Sequence, residues 1–284
     1  MVIRTALNIL RDSLLIRGGE PNENKQGLAI FARNTTVVLT AGGEGSRLSA
    51  LTEQEKTHKV ALRLPNGDTM IERTIKMYRD AGFNKFAVLV YHLASSVQDI
   101  LKDGAQLGVS IKYSEDPGRP VGRGGAIRNA IENGTISKND SFIVHNPDDQ
   151  LVNYRGSFVE DIVSAHLDGL KQNMIGTAIL ADGTPYQFTG MMVNKGVVEE
   201  IEVYPFVPIP THIGVTIFGT EAHDYFIKHF DLNKKTDFES ILFPMFSEKH
   251  QLYSFVIPHN NWISVNDPKG YQVLLRALEK NTDK

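Results

Sequence analysis

The stretch VVLTAGGEGSRLSAL, residues 37–51, decides the fold of this chain. It begins with an apolar run rich in β-branched residues, which predicts a buried strand over residues 35–39. The run leads into a glycine-rich turn, which contains Gly42, Gly43, Gly45, Ser46 and Arg47. A buried strand followed directly by such a turn is typical of the first unit of a parallel α/β sheet.

Downstream of the turn, apolar runs of strand length alternate with segments of helical periodicity. Helices are predicted over residues 69–81, 94–107, 124–133 and 158–170, and strands over residues 85–91, 109–113, 141–145 and 174–181. After about residue 182, short extended stretches predict an antiparallel subdomain or an edge hairpin, over residues 188–193, 197–203 and 213–218. The last predicted elements are helices over residues 222–230, 238–246 and 268–280 and a strand over residues 252–257.

This alternation predicts an α/β fold. We expect a Rossmann-like three-layer arrangement with a mixed, mostly parallel sheet and a small antiparallel C-terminal subdomain. The N-terminal residues stand apart, because residues 1–16 have helical spacing and residues 18–26 have the composition of an exposed loop. We therefore expect residues 1–34 to form an N-terminal helical extension and residues 35–284 to form one domain. The apolar stripe of the helix suits packing on its own domain or on a partner subunit, so the sequence allows both a monomer and a homo-oligomer.

Composition excludes several classes of protein. The chain of 284 residues is 41% hydrophobic and 22% charged, which is typical of a globular protein. Its formal net charge of −3 gives no basic field for nucleic acid, and no apolar run reaches the ~20 residues of a membrane helix. The absence of cysteine excludes disulfides, zinc–cysteine sites, iron–sulfur clusters and a cysteine nucleophile, and it fits a cytoplasmic location.

The glycine-rich turn has the chemistry of an anion site. Glycines let backbone N–H groups approach a phosphate closely, and the Arg47 guanidinium is a bidentate phosphate donor. A tight turn with a solvated arginine explains the same residues, and the turn alone does not decide between the two. A P-loop needs a lysine after its last glycine, and a dinucleotide fingerprint needs a third glycine where Leu48 stands, so both motifs are excluded.

Three segments resemble one family, beginning with the turn itself. AGGEGSRL at residues 41–48, followed by Leu51-Thr52 and Lys59, resembles the signature of the sugar-1-phosphate nucleotidyltransferases, and the resemblance extends over about residues 35–278. It implies that a nucleoside triphosphate is surrounded by Ala41, Gly42, Gly43, Gly45 and Ser46. It also implies that Arg47 holds the β- and γ-phosphates, which leave as pyrophosphate, and that Lys59 holds the phosphate at which the new bond forms. Such transfer needs mainly positioning and charge neutralisation.

The second matching segment is EDPGRPVGRGGAIRN, residues 115–129. The nucleotide-binding residues that the resemblance implies here are Gly122 at the nucleobase, Gly124 at a helix start, and Glu115 or Asp116 as the side chain that reads the base. Arg123 stands where the family often has threonine. A cation at a helix N-terminus suits either a phosphate contact or solvent, and the sequence leaves both open.

The third matching segment is FIVHNPDDQL, residues 142–151, which follows a predicted buried strand. The family has Asn-Gly-Asp here, and its aspartate binds magnesium, so the resemblance implies Asp148 as a metal ligand with the adjacent Asp149 as a further candidate. Carboxylate oxygens suit Mg²⁺, which bridges to substrate phosphates. Asn-Pro-Asp also forms ordinary turns, but the phosphate-type motifs upstream favour the metal.

The acceptor side departs from the family pattern. Ser264 occupies the place of a second metal-binding aspartate, so Asn266 or Asp267 would have to substitute for it. Val203-Tyr204-Pro205 aligns with a Glu-Lys-Pro that contacts the sugar and its phosphate, and His212-Ile213-Gly214 aligns with Asn-Ala-Gly. The acceptor-binding candidates are Gly190, which is retained, together with Tyr204 and His212.

The resemblance implies an Mg²⁺-dependent enzyme that transfers a nucleotidyl group from an NTP to a sugar 1-phosphate, or a related phosphomonoester, and yields an NDP-sugar and pyrophosphate. A nucleotide half would span about residues 35–181 and an acceptor half about residues 182–284. The altered acceptor half leaves two alternatives open, a nucleotide-sugar-dependent glycosyltransferase and a non-catalytic nucleotide-binding regulatory homologue. The expected partners are these small-molecule substrates, with neither nucleic acid nor membrane.

Overall fold

A computed structural model describes residues 2–14 and 25–282 of the chain. The α-helices of these residues are α1 (Val2–Leu14), α2 (Lys25–Arg33), α3 (Ser49–Glu55), α4 (Met70–Asp80), α5 (Ala94–Leu101), α6 (Gly122–Glu132), α7 (Phe158–Leu170), α8 (Ala222–His229), α9 (Phe238–Glu248) and α10 (Pro268–Thr282). The β-strands are β1 (Thr35–Ala41), β2 (Lys85–Val90), β3 (Ser110–Glu115), β4 (Ser141–His145), β5 (Asp149–Leu151), β6 (Gly176–Ala181), β7 (Thr184–Pro185), β8 (Thr189–Asn194), β9 (Val197–Val203), β10 (Phe206–Val207), β11 (Thr211–Phe218), β12 (Leu252–Ile257) and β13 (Trp262–Ser264).

Seven of these strands form one central sheet in the order β12-β6-β11-β4-β1-β2-β3. All neighbours pair in parallel except at β11, which runs antiparallel to both β4 and β6. Three small antiparallel pairs accompany the sheet, namely β8 with β9, β7 with β10, and β5 with β13. The predicted α/β class, with a mixed and mostly parallel sheet, is confirmed.

Helices cover both faces of the sheet, and β1 shows why. Val37 and Leu39 pack into a core cluster with α2, α4, α5 and α7, whereas Val38 packs on the opposite face with α6, α8 and α9. A parallel strand that is buried on both faces has to be apolar at every position rather than at every second one. Val37, Val38 and Leu39 satisfy this requirement at the centre of β1, whereas the buried Thr35 and Thr36 hydroxyls donate hydrogen bonds to the Phe31 carbonyl oxygen and to Asp140. The three layers follow from this pattern.

Several elements differ from the sequence-based prediction. The helix over residues 1–16 is present as α1, whereas most of the loop predicted over 18–26 lies outside the described residues and Lys25 already begins α2. The helix predicted over 94–107 ends at Leu101, because the next residue, Lys102, leaves the helical conformation with a φ of +48°. The short elements α3, β5 and β13 were not predicted, since segments of three to seven residues show too little periodicity to detect.

The strands β7 to β10 form a projection that we call the arm, residues 184–207. Its apolar side chains are largely exposed, namely Phe188, Met191, Val193, Val198, Ile201 and Val203. Helix α1 packs against it, and the Ile3 amide donates a 3.1 Å hydrogen bond to the Glu200 carboxylate. Within the described residues, no helix is long and apolar enough to cross a membrane.

Candidate functional site

The candidate site lies at the carboxyl ends of β1 and β4, which are neighbouring parallel strands. Because β11 is antiparallel to β4, its first residues reach the same edge of the sheet. Open α/β sheets place their sites at such an edge, where neighbouring loops diverge. A cavity of about 540 Å³ opens here, and it is lined in part by Gly42, Gly43, Lys59, Asp148, Asp149 and His212.

The glycine-rich turn presents free backbone donors at the edge of this cavity. Gly42 and Gly43 line it, and Gly45 adopts a left-handed φ of +61° beside the Lys59 stem. In the described part of the chain, the backbone N–H groups of residues 43–47 donate to no other residue. Consecutive unpaired amides of this kind form a concavity suited to phosphate oxygens.

His58 joins the turn to the segment that carries Lys59. Its ring is buried, and Nε2 lies 2.8 Å from the Gly43 carbonyl oxygen. Nδ1 accepts a 3.3 Å hydrogen bond from the Val60 amide, while the His58 amide donates to Ser96 Oγ at 3.0 Å. Burial lowers the pKa of His58 to about 4, against the opposing hydrogen bond to Gly43, so the ring is neutral near pH 7.

Lys59 and Asp148 form an ion pair inside the cavity. Lys59 follows the loop after α3, whereas Asp148 follows β4, so the fold brings together residues 89 positions apart. The main chain fixes Asp148, because its carbonyl oxygen accepts a 2.8 Å hydrogen bond from the Val265 amide. The cavity therefore holds a compensated charge pair where the sequence predicted a phosphate-binding lysine and a metal-binding aspartate.

Asp149 is buried beside this pair and has only neutral donors among the described residues. Its Oδ1 accepts a 2.9 Å hydrogen bond from the Trp262 indole, and its Oδ2 accepts a 3.2 Å hydrogen bond from Nδ2 of the Asn146 side chain. Burial, together with the neighbouring Asp148 charge, raises the pKa of Asp149 to about 7. In the β5–β13 pairing, Asp149 stands directly opposite Ser264.

A glycine in β11 makes the space for this carboxylate. Gly214 lies in a register shift between His212 and Thr216 and has a φ of +73°. A Cβ at this position would lie 2.5 Å from Asn146 Nδ2 and closer still to the Asp149 carboxylate. Both the backbone conformation and the close approach therefore require glycine.

Buried polar side chains hold the loop that carries the two aspartates. Gln150 donates from Nε2 to the Pro147 carbonyl oxygen at 2.7 Å and accepts from Arg73 at 2.7 Å. His145 Nε2 lies 2.9 Å from the Asp149 carbonyl oxygen, and its Nδ1 lies 3.0 Å from the Tyr78 hydroxyl. These bonds fix the backbone of the loop, so the carboxylates are held in place by their surroundings.

Arg123, for which the sequence left a phosphate contact and solvent open, forms ion pairs inside the cavity. It pairs with Asp237 at 2.5 Å and with Glu239 at 2.7 Å, and all three residues line the cavity. His212 Nδ1 lies 3.2 Å from the same Glu239 carboxylate. Burial alone would raise the pKa of Glu239, but its hydrogen bond with His212 and the Arg123 charge outweigh burial and lower it.

The nucleotide-side predictions divide by position. Gly42, Gly43, Lys59 and Gly122 line the cavity, but other candidates lie outside it, namely Ala41, Gly45, Ser46, Arg47, Glu115 and Gly124. Arg47 instead donates a 3.0 Å hydrogen bond to Asn266, a cavity residue. Glu115 is exposed at the end of edge strand β3, and Asp116 lines the cavity in its place. Gly124 packs under the Phe230 ring, so its lack of a side chain serves packing.

The acceptor-side and metal predictions divide in the same way. His212, Asp148, Asp149 and Asn266 line the cavity. Gly190 and Tyr204 lie on the arm and do not line it, and Tyr204 is 63% exposed. The Asp267 carboxylate accepts a 2.7 Å hydrogen bond from the Gly270 amide at the start of α10, which explains it as a helix cap. In the described residues, no three His, Asp or Glu side chains group together in the manner of a metal site.

Some cavity residues were missed by the sequence analysis, namely His58, Asn146, Lys235, Asp237, Glu239 and Trp262. Asp237 and Glu239 carried one detectable signal, because an aspartate followed by a glutamate begins a helical pattern as its cap. Lys235 carried none, since it lies in a loop whose position depends on Thr236. That residue donates to the Val121 carbonyl oxygen and accepts from the Gly124 amide, both at 3.0 Å.

The chain is similar to one protein family and to several solved structures. A model of the nucleotidyl transferase family matches residues 36–281. A putative glucose-1-phosphate thymidylyltransferase from Bacillus anthracis, solved in complex with a sucrose, has a similar structure. It is 16% identical, with a TM-score of 0.65 over 85% of this chain and 94% of that chain.

HddC from Yersinia pseudotuberculosis is similar as well, at 20% identity and a TM-score of 0.59 over 86% of this chain and 98% of that chain. Its structure complexed with GMP-PN gives 18% identity and a TM-score of 0.60 over 86% and 99% of the two chains. A search of the curated proteins found no match. At these identities, the solved structures establish a shared fold.

Proposed function

The chain belongs to the nucleotidyl transferase family and is a nucleotidyltransferase, and from this premise we propose its reaction. An NTP and a sugar 1-phosphate, or a related phosphomonoester, would react to give an NDP-sugar and pyrophosphate in an Mg²⁺-dependent step. The observation that carries this proposal is the single cavity shared by the glycine-rich turn and the Lys59–Asp148 pair. Free amides, a cation and a carboxylate in one cavity are what nucleotidyl transfer requires.

The reaction is a substitution at the α-phosphorus of the NTP. A phosphate oxygen of the acceptor attacks in line, a new P–O bond forms, and the bond between the α-phosphorus and the bridging oxygen breaks. The electron pair leaves with pyrophosphate. The acceptor phosphate is already anionic near pH 7, so no side chain has to remove a proton from it. The chain's contribution is to orient the two phosphates and to neutralise their charge.

Lys59 and the amides of residues 43–47 carry most of this work. A phosphate that binds the Lys59 ammonium would replace Asp148 as its partner. The backbone amides would donate hydrogen bonds to the other phosphate oxygens. Arg47 lies at the mouth of the cavity through its bond to Asn266, where it suits the leaving pyrophosphate. Gly122 and Asp116 are proposed for the nucleobase, with Asp116 rather than Glu115 as the side chain that reads it.

The carboxylate oxygens of Asp148 and Asp149 are suitable ligands for a divalent cation. The Asp148 carboxylate already binds one cation, the Lys59 ammonium. Asp149 is a buried carboxylate with only neutral partners among the described residues. A buried carboxylate normally has a cation beside it. Mg²⁺ suits a site with two carboxylates, since it takes its other ligands from water and substrate phosphates. When bound, Mg²⁺ would neutralise phosphate charge in the transition state.

The proposed division into a nucleotide half (35–181) and an acceptor half (182–284) agrees with the cavity, whose lining comes from both ranges. For the acceptor we propose His212 and Lys235, which line the cavity, rather than Gly190 and Tyr204, which lie on the arm. The similarity to HddC complexed with GMP-PN supports a nucleotide ligand. The thymidylyltransferase solved with a sucrose supports a sugar-containing ligand. A cytoplasmic location suits a chain that has no cysteine.

The test is pyrophosphate release, measured for each NTP against a panel of sugar 1-phosphates and other phosphomonoesters with Mg²⁺. We expect one NTP–acceptor pair to release pyrophosphate, and Asp148→Ala to abolish the release while the protein stays folded. Sugar transfer from an NDP-sugar without pyrophosphate release would identify a glycosyltransferase instead. NTP binding without release from any pair would identify a nucleotide-binding protein that is not catalytic.

A further inference from the structure

His58 contacts three segments of the chain. Its ring reaches the glycine-rich turn through Gly43 and the following segment through Val60, and its backbone reaches α5 through Ser96. The ring is about 1% exposed, and its two nitrogens therefore depend on protein partners alone.

The two contacts fix the tautomer of the ring. A backbone amide can only donate, so Nδ1 accepts from Val60 and carries no proton. A carbonyl oxygen can only accept, so Nε2 carries the proton and donates it to Gly43 at 2.8 Å. The low pKa of His58, about 4, agrees with a neutral ring.

The hydrogen bond to Gly43 determines the orientation of the next amide. In a planar trans peptide, the carbonyl and the following N–H point in opposite directions. While His58 holds the Gly43 carbonyl, the Glu44 N–H points to the other side of the turn. There it has no acceptor within the described residues, and Glu44 lines the cavity.

We propose that His58 is a positioning residue, which locks the Gly43–Glu44 peptide so that the Glu44 amide stays available to a phosphate oxygen. The inference deepens the proposed function and rests on it, since the phosphate would be that of the NTP. Without the ring donor, the peptide can rotate and present its carbonyl oxygen, and a carbonyl oxygen repels phosphate. The lock acts on binding before any chemistry occurs.

Two variants separate the ring's two hydrogen bonds. His58→Gln keeps a donor at the ε position but loses the acceptor at the δ position, whereas His58→Asn keeps a δ acceptor for Val60 and loses the ε donor. Binding of inorganic triphosphate is measured by calorimetry, with melting temperatures as the check on folding. We expect Asn to weaken triphosphate binding about tenfold and Gln to stay within about threefold of the wild type.

A purely structural role for His58 as the cap of the Lys59 turn predicts the reverse order, with Asn tolerated and Gln impaired. That result, or equal affinities in both variants, would overturn the proposal. A second measurement needs no variant, because the Glu44 amide resonance of the wild-type protein should shift strongly on addition of triphosphate. An unmoved Glu44 resonance, or a wild-type protein that binds no triphosphate, would also overturn it.

These outcomes are distinct from failure of the proposed function. Triphosphate binding that depends on His58, in a protein that releases no pyrophosphate from any NTP–acceptor pair, would refute the transfer reaction and leave the positioning role intact. Conversely, an active enzyme whose His58→Asn variant binds triphosphate normally would refute the positioning role alone.

Discussion

The glycine-rich turn and the arm differ in how firmly the rest of the molecule holds them. The turn follows a strand buried on both faces, His58 holds its Gly43 carbonyl, and Gly45 rests on the Lys59 stem. The arm is an exposed projection, and α1 packs on it through β9. A side chain on the arm, such as Tyr204, therefore has few contacts to lose when it changes.

The departures from the family pattern lie in both the arm and the cavity. The Val203-Tyr204-Pro205 departure lies on the arm, outside the cavity. The Ser264 departure lies inside it, and there the Asp149 carboxylate stands opposite the serine in the β5–β13 pairing. We expect Asp149 to supply the carboxylate that Ser264 lacks, whereas the change on the arm has no cavity residue to match it.

The largest expected effect tests the turn side of this comparison. Lys59→Met should lower kcat/KM for pyrophosphate release by about a thousandfold, because the cation that neutralises the reacting phosphate is lost. Lys138→Met, at an exposed position on the loop after α6, is the matched control and should stay within twofold of the wild type. Equal losses in the two variants would show that Lys59 has no special place in the reaction.

The second prediction concerns the space beside Asp149. Gly214→Ala should destabilise the protein by about 3 kcal/mol, since the new methyl group meets a buried carboxylate and the residue keeps a positive φ. Gly196→Ala, at the tip of the arm, has a φ of +84° with open space around it, so it should cost only about 1 kcal/mol. Urea unfolding of both variants measures the difference, and equal midpoints would remove the argument from close approach.

The third prediction tests whether Asp149 matches the missing acid at position 264. Asp149→Asn should weaken Mn²⁺ binding, followed by electron paramagnetic resonance, about thirtyfold, because one carboxylate ligand is lost. The double variant Asp149→Asn/Ser264→Asp should recover most of the affinity, because the two residues face each other across one strand pair. Ser264→Ala is the control and should bind normally. If the double variant does not recover Mn²⁺ affinity, a carboxylate at position 264 cannot take the place of the one at position 149.

The sequence predicted the buried side of this comparison better than the exposed side. The pattern of β1 and the alternation after it gave the sheet class correctly, since burial on both faces leaves a strong apolar signal. The turn, Lys59 and Asp148 could be identified through the family resemblance, because each lies in a short segment that matches a family motif. Tyr204 was assigned to the acceptor by alignment alone, and no sequence signal indicates that the arm leads away from the cavity.

Contacts between distant segments set the limit of such prediction. The Arg123 cluster joins α6 to α9 over 114 positions, and Asp149 meets Trp262 over 113 positions. Neither side chain carries a local pattern that reports its partner. His58 illustrates the same limit at short range, because its hydrogen bond to Gly43 depends on the direction of the Gly43 carbonyl in the folded chain.

The fourth prediction uses pH to probe the buried scaffold. Burial lowers the pKa of His166 to about 3, well below the unfolded value of 6.5, so the unfolded chain takes up the proton first. The contribution of His166 is therefore complete above about pH 6.5 and is lost as the pH falls below it, by about 1 kcal/mol between pH 6.5 and 5.5. His166→Gln should flatten this part of the pH–stability profile. An unchanged slope would place the proton uptake elsewhere, for example at His145, whose pKa burial also lowers, to about 4.

The smallest expected effect is on the arm. Tyr204→Ala should leave kcat and the acceptor KM within twofold of the wild type, because the side chain is 63% exposed and does not line the cavity. His212→Ala is the comparison, since it removes a cavity residue and a partner of Glu239. A large rise in the acceptor KM for the Tyr204 variant would mean that the arm closes over the cavity during the reaction.

The ion pairs inside the cavity have a kinetic consequence. Lys59 is already bound to Asp148, and Arg123 is bound to Asp237 and Glu239, so neither of these two cations is free in the resting cavity. A phosphate that arrives there has to displace a carboxylate from one of these cations, and the lining, in which carboxylates outnumber lysines and arginines, sets up no positive field to guide it from a distance. Association with NTP should accordingly be slower than the diffusion limit, and lower ionic strength should not accelerate it. The selectivity of the cleft would then reside in the exchange and in the rate of ligand departure, both of which follow capture.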